Sequence, residues 1–169
     1  MNISRFWIFI KNYFLGIPTI ECFNDFVKTG DVENVRLLLT DPRVDPSARN
    51  NDAIQLASAN GHYEVVKLLL TDPRVDPTVN NNYVIQWASR NGHLDVVKLL
   101  LSNPKVDPST DNNKAIRWAS RYGHTEVVKL LLTDPRVDPS DRNNLAIRWA
   151  SENGHLDVVK LLLTNPKVD

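Results

Sequence analysis

One string of residues returns along this chain at a fixed interval. It reads GHYEVVKLLLTDPRVDP at 61–77, GHLDVVKLLLSNPKVDP at 92–108, GHTEVVKLLLTDPRVDP at 123–139 and GHLDVVKLLLTNPKVD from 154. The glycines that open these copies, and one earlier glycine, are 31 residues apart: Gly30, Gly61, Gly92, Gly123 and Gly154. A period of roughly 20–50 residues is typical of stacked arrays, in which one unit cannot bury its apolar face alone. The chain is therefore predicted to fold as a row of similar units.

Each unit is predicted to contain two short helices and a finger, as the second full copy illustrates. Asn81 and Asn82 are expected to cap the first helix, because an Asn side chain accepts from the free amides of a first turn. That helix ends near Gly92, since glycine tolerates a left-handed turn. The second helix opens near His93 and stops before Pro104, because the residue preceding proline is pushed away from helical angles. The stretch KVDPSTDNN then forms an extended finger with a turn at its tip.

The recurring motif resembles that of a known family. A-S-x-N-G-H-x-E/D-V-V-K-L-L-L, which recurs four times in register with Tyr122 in place of the Asn in one copy, resembles the ankyrin repeat, whose core is A-A-x-x-G-H-x-E-V-V-x-L-L-L. This resemblance implies an all-α solenoid of stacked helix-turn-helix units with short finger turns. The units are shorter than the usual ~33 residues of that family. The T-P-L-H opening that ties family units together is replaced, for example by Tyr83-Val84-Ile85-Gln86.

The period also sets the predicted boundaries. One continuous array is expected over residues 18–169, preceded by an apolar capping helix at residues 1–17. Its units are a degenerate first repeat at 18–44, three repeats at 45–75, 76–106 and 107–137, and a last repeat at 138–169.

Comparison of the four full copies separates fixed from variable positions in the first helix. In the second copy the fixed residues are Ile85, Ala88, Ser89 and Gly92. At about 100° per residue they lie on one side of a helix. They are predicted to form the stacking face between units, where small side chains let helices approach closely.

The variable positions lie opposite and carry many of the aromatic and charged residues. Because stacked helices sit ~8–10 Å apart, Trp87, Trp118 and Trp149 are predicted to form an aromatic ladder across one surface. The resemblance to ankyrin repeats implies that a partner protein binds to this surface and to the finger tips, which also vary. Trp, Tyr and Arg are typical of interface hot spots. The candidate partner-binding residues are Tyr83, Trp87, Arg90, Lys114, Trp118, Arg121, Tyr122, Trp149 and Glu152. A second interpretation stays open, in which each Trp only packs against the next unit.

Charge and cysteine content exclude some classes of function. Twenty basic side chains balance twenty acidic ones, whereas nucleic-acid binding usually shows a clustered basic excess. No nucleic-acid partner is therefore expected. The single cysteine, Cys22, cannot form a disulfide within the chain, which fits a cytoplasmic or other intracellular location. Proteins similar to ankyrin repeats are common as effectors of parasites and large viruses, and for such a source the compartment would be the host cell.

No repeated position predicts catalysis, a metal or a cofactor. Each unit supplies one histidine, whereas zinc needs several ligands within ~2.0–2.3 Å of one ion; the resemblance implies that this histidine bonds nearby backbone. An aspartate before proline is identical in every full copy, although a catalytic pair needs one carboxylate in different surroundings. Cys22 is expected to be a small core residue. These positions are His62, His93, His124 and His155 for the histidines, and Asp45, Asp76, Asp107 and Asp138 for the aspartates.

The two ends raise separate questions. The pattern Ile3, Trp7, Ile10, Phe14, Ile17 has helical spacing, which favours a cap that packs aromatic residues against Phe23 and Phe26. A surface membrane anchor and a cleaved signal are the alternatives. At the other end, Leu161–Leu163 repeat the interior pattern. Fraying, truncation of a longer array, or cover by a partner or second copy would each explain this, and the first two are favoured.

The sequence thus predicts a non-enzymatic protein–protein interaction module. The alternative is an adaptor held at a membrane surface by residues 3–17. The partner's identity and the oligomeric state are not predicted.

Overall fold

The computed structural model describes residues 20–168, which form ten helices and no strand. Residues 1–17, which include Trp7 and Phe14, lie outside the described residues. The expected cap and the membrane alternative both depend on these residues. The helices are α1 (Ile20–Thr29), α2 (Val32–Leu39), α3 (Ala48–Ala59), α4 (Tyr63–Leu69), α5 (Val79–Arg90), α6 (Leu94–Leu101), α7 (Thr110–Arg121), α8 (Thr125–Leu131), α9 (Asp141–Glu152) and α10 (Leu156–Leu163). The predicted all-α solenoid is confirmed. Within 20–168, no helix has the length and apolarity to cross a bilayer.

The helices form two layers along the array. The first helices of the units (α1, α3, α5, α7 and α9) approach their neighbours more closely than the second helices (α2, α4, α6, α8 and α10) do. We call the first helices the inner layer and the second helices the outer layer. The inner surface is the side of the first helices that carries the variable residues.

Each unit turns between its helices at the repeat glycine, as predicted. Gly92 has φ +76°, and its amide donates to the Ser89 carbonyl while the amide of His93 donates to that of Ala88. This pair of bonds is the Schellman motif, in which a left-handed glycine satisfies the last carbonyls of a helix. The chain can then reverse within two residues, which keeps the two helices of a unit side by side.

The core repeats with the units. Ile54, Ile85 and Ile116 are fully buried between first helices, and the adjacent alanines leave room for close approach. The central second helices α4, α6 and α8 each bury a valine pair and one leucine, such as Val96, Val97 and Leu100. In the first unit Phe23 and Val27 take the Ile and Ser positions and are fully buried.

The entry to the first helices differs from the prediction. Asn81 and Asn82 do not cap α5 with their side chains. Instead Asn80, Asn81 and Asn82 all have positive φ, at 53°, 57° and 61°, and form one left-handed turn. The same turn occupies residues 49–51, 111–113 and 142–144. The finger thus ends in a left-handed turn that leads into a right-handed helix.

Contacts with neighbouring units compensate for the cost of these turns, which is about 1–2 kcal/mol per residue for most L-residues and less for Asn and Asp. The Asn82 Oδ1 accepts from the backbone amide of Asp107 in the next unit at 3.0 Å. Equivalent bonds join Asn51 to Asp76 and Asn113 to Asp138. The paired asparagines therefore hold successive fingers together.

Candidate functional site

The predicted aromatic ladder exists as a chain of ring and cation contacts, here called the stripe. The Trp87 and Trp118 rings meet edge to face with centroids 5.5 Å apart. The guanidinium of Arg90 lies 4.7 Å from the Trp87 centroid and 5.3 Å from that of Trp118. Neighbouring units are therefore linked by rings and by a cation that touches both. The stripe comprises Tyr83, Trp87, Arg90, Lys114, Trp118, Arg121, Tyr122 and Trp149.

Further cations extend the stripe in both directions. The Lys114 ammonium lies 5.2 Å from the Tyr83 ring and 4.8 Å from the Trp118 ring. Arg121 lies 5.0 Å from the Trp149 ring and 5.9 Å from that of Tyr122. Each such contact is worth about 0.5–1 kcal/mol where exposed. Eight of the nine predicted site residues thus form one contiguous surface across three units.

Glu152 is the exception. It is exposed in the last turn of α9 and makes no ring or ion-pair contact with the described residues. Its position corresponds to Arg90 and Arg121 in the preceding units. In α9, the first helix of the last unit, the charge at this position is therefore negative instead of positive.

The tryptophans are half-buried. Each ring is partly covered by a neighbouring unit: Trp87 by Trp118, Trp118 by Trp87 and Arg90, and Trp149 by Arg117 and Arg121. Tyr122 is 42% exposed, and its hydroxyl accepts from Arg90 at 3.2 Å. The stripe is thus held by its own contacts while leaving aromatic surface open on the inner side.

The inner and outer layers differ in charge. Apart from the buried Arg117, helices α5 and α7 carry three basic side chains, Arg90, Lys114 and Arg121, and one carboxylate, that of Asp111, which pairs with Lys114 at 2.8 Å. Helices α6 and α8 behind them each pair one acidic with one basic residue. A chain with no net charge therefore presents a basic inner surface at its centre.

One functional position was missed by the sequence analysis. Gln86 and Arg117 occupy equivalent positions, are nearly fully buried, and bond carbonyls of the left-handed turn. Burial lowers the pKa of the Arg117 guanidinium, which also lies 5.7 Å from the Trp149 ring. The available signal was a polar residue in every full copy between an invariant Ile and a large apolar residue, which is Trp in three copies and Leu56 in the first.

The repeat histidines tie adjacent units. The Nε2–H of His93 donates to the Ala59 carbonyl of the preceding unit at 2.9 Å, and its ring lies against Gly61. Equivalent bonds run from His62 to Lys28, His124 to Arg90 and His155 to Arg121. Each imidazole is thus hydrogen-bonded to the backbone of the preceding unit. Residues 20–168 contain no group of three or more His, Cys, Asp or Glu suited to a metal ion.

The repeated aspartates make turns. The carboxylate of Asp76 accepts from the amide and hydroxyl of Thr78 at 2.9 and 2.8 Å, and these bonds lower its pKa. The aspartates at 45, 107 and 138 bond the serine two residues on in the same way. Cys22 is half-buried, and burial raises the pKa of its thiol.

Comparison with known proteins bears on the whole array. A family model described as ankyrin repeats, three copies, matches residues 23–112 and 85–169. A comparison with curated proteins finds no match.

Proposed function

Because this chain belongs to the ankyrin-repeat family, whose members are generally protein–protein interaction modules, we propose that it is a non-enzymatic module that binds a partner protein through the stripe and the finger tips. The proposed module is the continuous array 18–169, with residues 1–17 as its cap. The observation that carries this proposal is the stripe itself. Aromatic and arginine side chains supply most hot spots of protein interfaces.

The fixed geometry of the stripe supports binding rather than stability alone. Side chains that are already ordered lose less conformational entropy when a partner docks. Arg90 is held by three rings and by the Tyr122 hydroxyl before any partner arrives. At the same time Arg121 and Tyr122 remain exposed. The surface is therefore both preorganised and accessible.

Two sets of substitutions separate the interface from the scaffold. Arg121→Ala with Tyr122→Ala removes exposed groups and should leave the melting temperature within a few degrees. Trp118→Ala removes contacts with Trp87, Arg90 and Lys114, and should cost stability by about 2 kcal/mol. The exposed pair is therefore the cleaner test of binding.

Selection from a random-peptide display library on the full chain tests the proposal. Enriched peptides should bind the Arg121→Ala/Tyr122→Ala variant roughly tenfold more weakly than the wild type. Lys98→Ala/Lys129→Ala, which changes exposed residues of α6 and α8, is the matched control and should leave binding unchanged. Peptides that ignore the stripe variant, or a selection without enrichment, would contradict the proposal.

A further inference from the structure

We propose that the stripe recognises an extended acidic segment of its partner, with carboxylates about three residues apart and a basic residue at one end. This inference rests on the proposed function and specifies the partner's chemistry. It comes from the charge distribution of the first helices. Their central members are basic, whereas the outer helices behind them are neutral.

The arginines of the inner surface are available to a partner. Arg90, Arg121 and Arg148 have no carboxylate oxygen within 4.0 Å among residues 20–168. The finger arginines behave differently, since Arg74 binds Asp72 and Arg136 binds Asp134, each at 2.6 Å. Uncompensated guanidinium groups next to aromatic rings favour an anionic ligand.

The ring contacts leave the arginine donors usable. A guanidinium group has five N–H donors in a planar fork. A cation–π contact uses none of them for a hydrogen bond to oxygen, so the group can still form two parallel bonds with a carboxylate. Arg90 uses one donor for the Tyr122 hydroxyl, and the guanidinium of Arg121 makes no hydrogen bond to the described residues. The donors that remain match the geometry of Asp or Glu side chains.

The repeat fixes the spacing of the predicted ligand. Arg90 and Arg121 are 31 positions apart and so occupy equivalent places on neighbouring first helices, whose axes lie ~8–10 Å apart. A peptide in the extended polyproline II conformation advances ~3.1 Å per residue with three residues per turn, so every third side chain lies on the same side of the peptide and meets the next helix. Glu152 occupies the next equivalent position, where it would pair with a basic residue of the ligand. The ligand pattern is acid-x-x-acid-x-x-base, in one of the two chain directions.

Labelled peptides of this pattern, in both directions, can be titrated against the full chain by fluorescence anisotropy. The peptide in the preferred direction should bind, and replacement of its two Glu by Gln should weaken it roughly tenfold or more. Arg121→Gln should weaken binding to the acidic peptide several-fold, whereas Lys98→Gln/Lys129→Gln, which removes two outer charges, should not. Thermal melting of each variant verifies folding.

A charge reversal tests the register. Glu152→Lys should shift the preference at the end position from a basic to an acidic peptide residue. Equal binding of Glu and Gln peptides, or an unchanged preference in Glu152→Lys, would overturn the inference. Tighter binding of a single-stranded oligonucleotide, in competition with the peptide, would also overturn it. If display selection yields non-acidic peptides that still require the stripe, the acidic ligand is wrong and the proposed function stands. Peptides that bypass the stripe would contradict both.

Discussion

At the scale of single residues, the repeat carries a hydroxyl that its surroundings do not satisfy. Ser58, Ser89 and Ser120 are fully buried, and their Oγ atoms have no hydrogen-bond partner in the described structure. A buried hydroxyl without a partner costs about 1–3 kcal/mol. Serine at this position therefore opposes folding.

Replacing Ser89 by alanine should raise the free energy of unfolding by about 0.5–2 kcal/mol. Ser151→Ala is the matched control, because Ser151 is exposed at the equivalent position of α9 and its substitution changes helix propensity alone. Urea denaturation of both variants measures the difference. A destabilised Ser89→Ala variant would show that the hydroxyl has a bonding role.

The finger carboxylates predict how stability depends on pH. Hydrogen bonds from Arg43 lower the pKa of Asp41 to about 2, and Arg74 and Arg136 lower the pKa values of Asp72 and Asp134. A carboxylate whose pKa is lower in the folded state stabilises the fold above its ordinary pKa of ~3.9. That contribution is lost as the pH falls from about 4 towards 2.

Replacement of all three aspartates by asparagine should therefore destabilise the protein at pH 6 and have little effect near pH 2. Asn103 and Asn165 already occupy this position in two units, where their Oδ1 atoms accept from the Lys105 and Lys167 amides, so the turn itself should persist. Denaturation midpoints measured from pH 6 to pH 2 give the comparison. If the denaturation midpoints of wild type and variant changed with pH in parallel, the three carboxylates would not be the source of the pH dependence.

At the scale of helices and their junctions, glycine and histidine act as a pair. A Cβ on Gly123 would lie 2.5 Å from Nδ1 of His155, whereas a Cβ on Gly154 would meet nothing within 4 Å. Both glycines have similar positive φ, +76° and +74°. The two positions therefore separate backbone strain from crowding of the junction.

Gly154→Ala should cost about 1–2 kcal/mol from backbone strain, and Gly123→Ala should cost more because it also displaces the imidazole. The double variant Gly123→Ala/His155→Ala lacks the ring that the new Cβ would displace. Its loss of unfolding free energy should therefore be smaller than the sum of the losses in the two single variants. Thermal or urea unfolding measures the four states of the cycle. Strict additivity would mean that the ring and the glycine act independently.

Comparison of the copies was sufficient to predict the helices and the stripe, because fixed and variable residues fall on opposite sides of α5 and α7. It did not predict the left-handed turns. An Asn doublet suits both a helix cap and positive φ, and the choice depends on the Asp amide of the next unit, which lies 25 positions away along the chain. The burial of Arg117 was not predicted either, since arginine is usually exposed; its side chain bonds the Asn112 carbonyl and lies against Trp149 of the following unit.

At the scale of the whole molecule, the described array has an unpaired apolar side at its last unit. Leu163 is 60% and Leu156 69% exposed, whereas Leu132, which corresponds to Leu163, is half-buried and packs against the core. Exposed apolar side chains of this kind favour association. The exposed side chains of Leu156 and Leu163 therefore contribute little to the stability of the single chain.

Leu163→Lys should consequently change the free energy of unfolding by less than about 0.5 kcal/mol and reduce concentration-dependent light scattering. Leu132→Lys, the same substitution one unit earlier, should destabilise the fold because it removes packed apolar surface. Urea denaturation and dynamic light scattering give the two measurements. A strongly destabilised Leu163→Lys variant would show that this leucine is covered in solution.

The uniform junction has a consequence for how such a molecule can change in length. Each of the three boundaries between full repeats is closed by the same asparagine–amide and histidine–carbonyl bonds, so an in-phase duplication of one full repeat would carry the residues that join it to its neighbours. The duplicated segment would also bring its own tryptophan and charge. Recombination within the gene can therefore add one unit at a time, and each added unit would lengthen the ligand segment that the inner surface contacts by about three residues. No new contact between units has to evolve first.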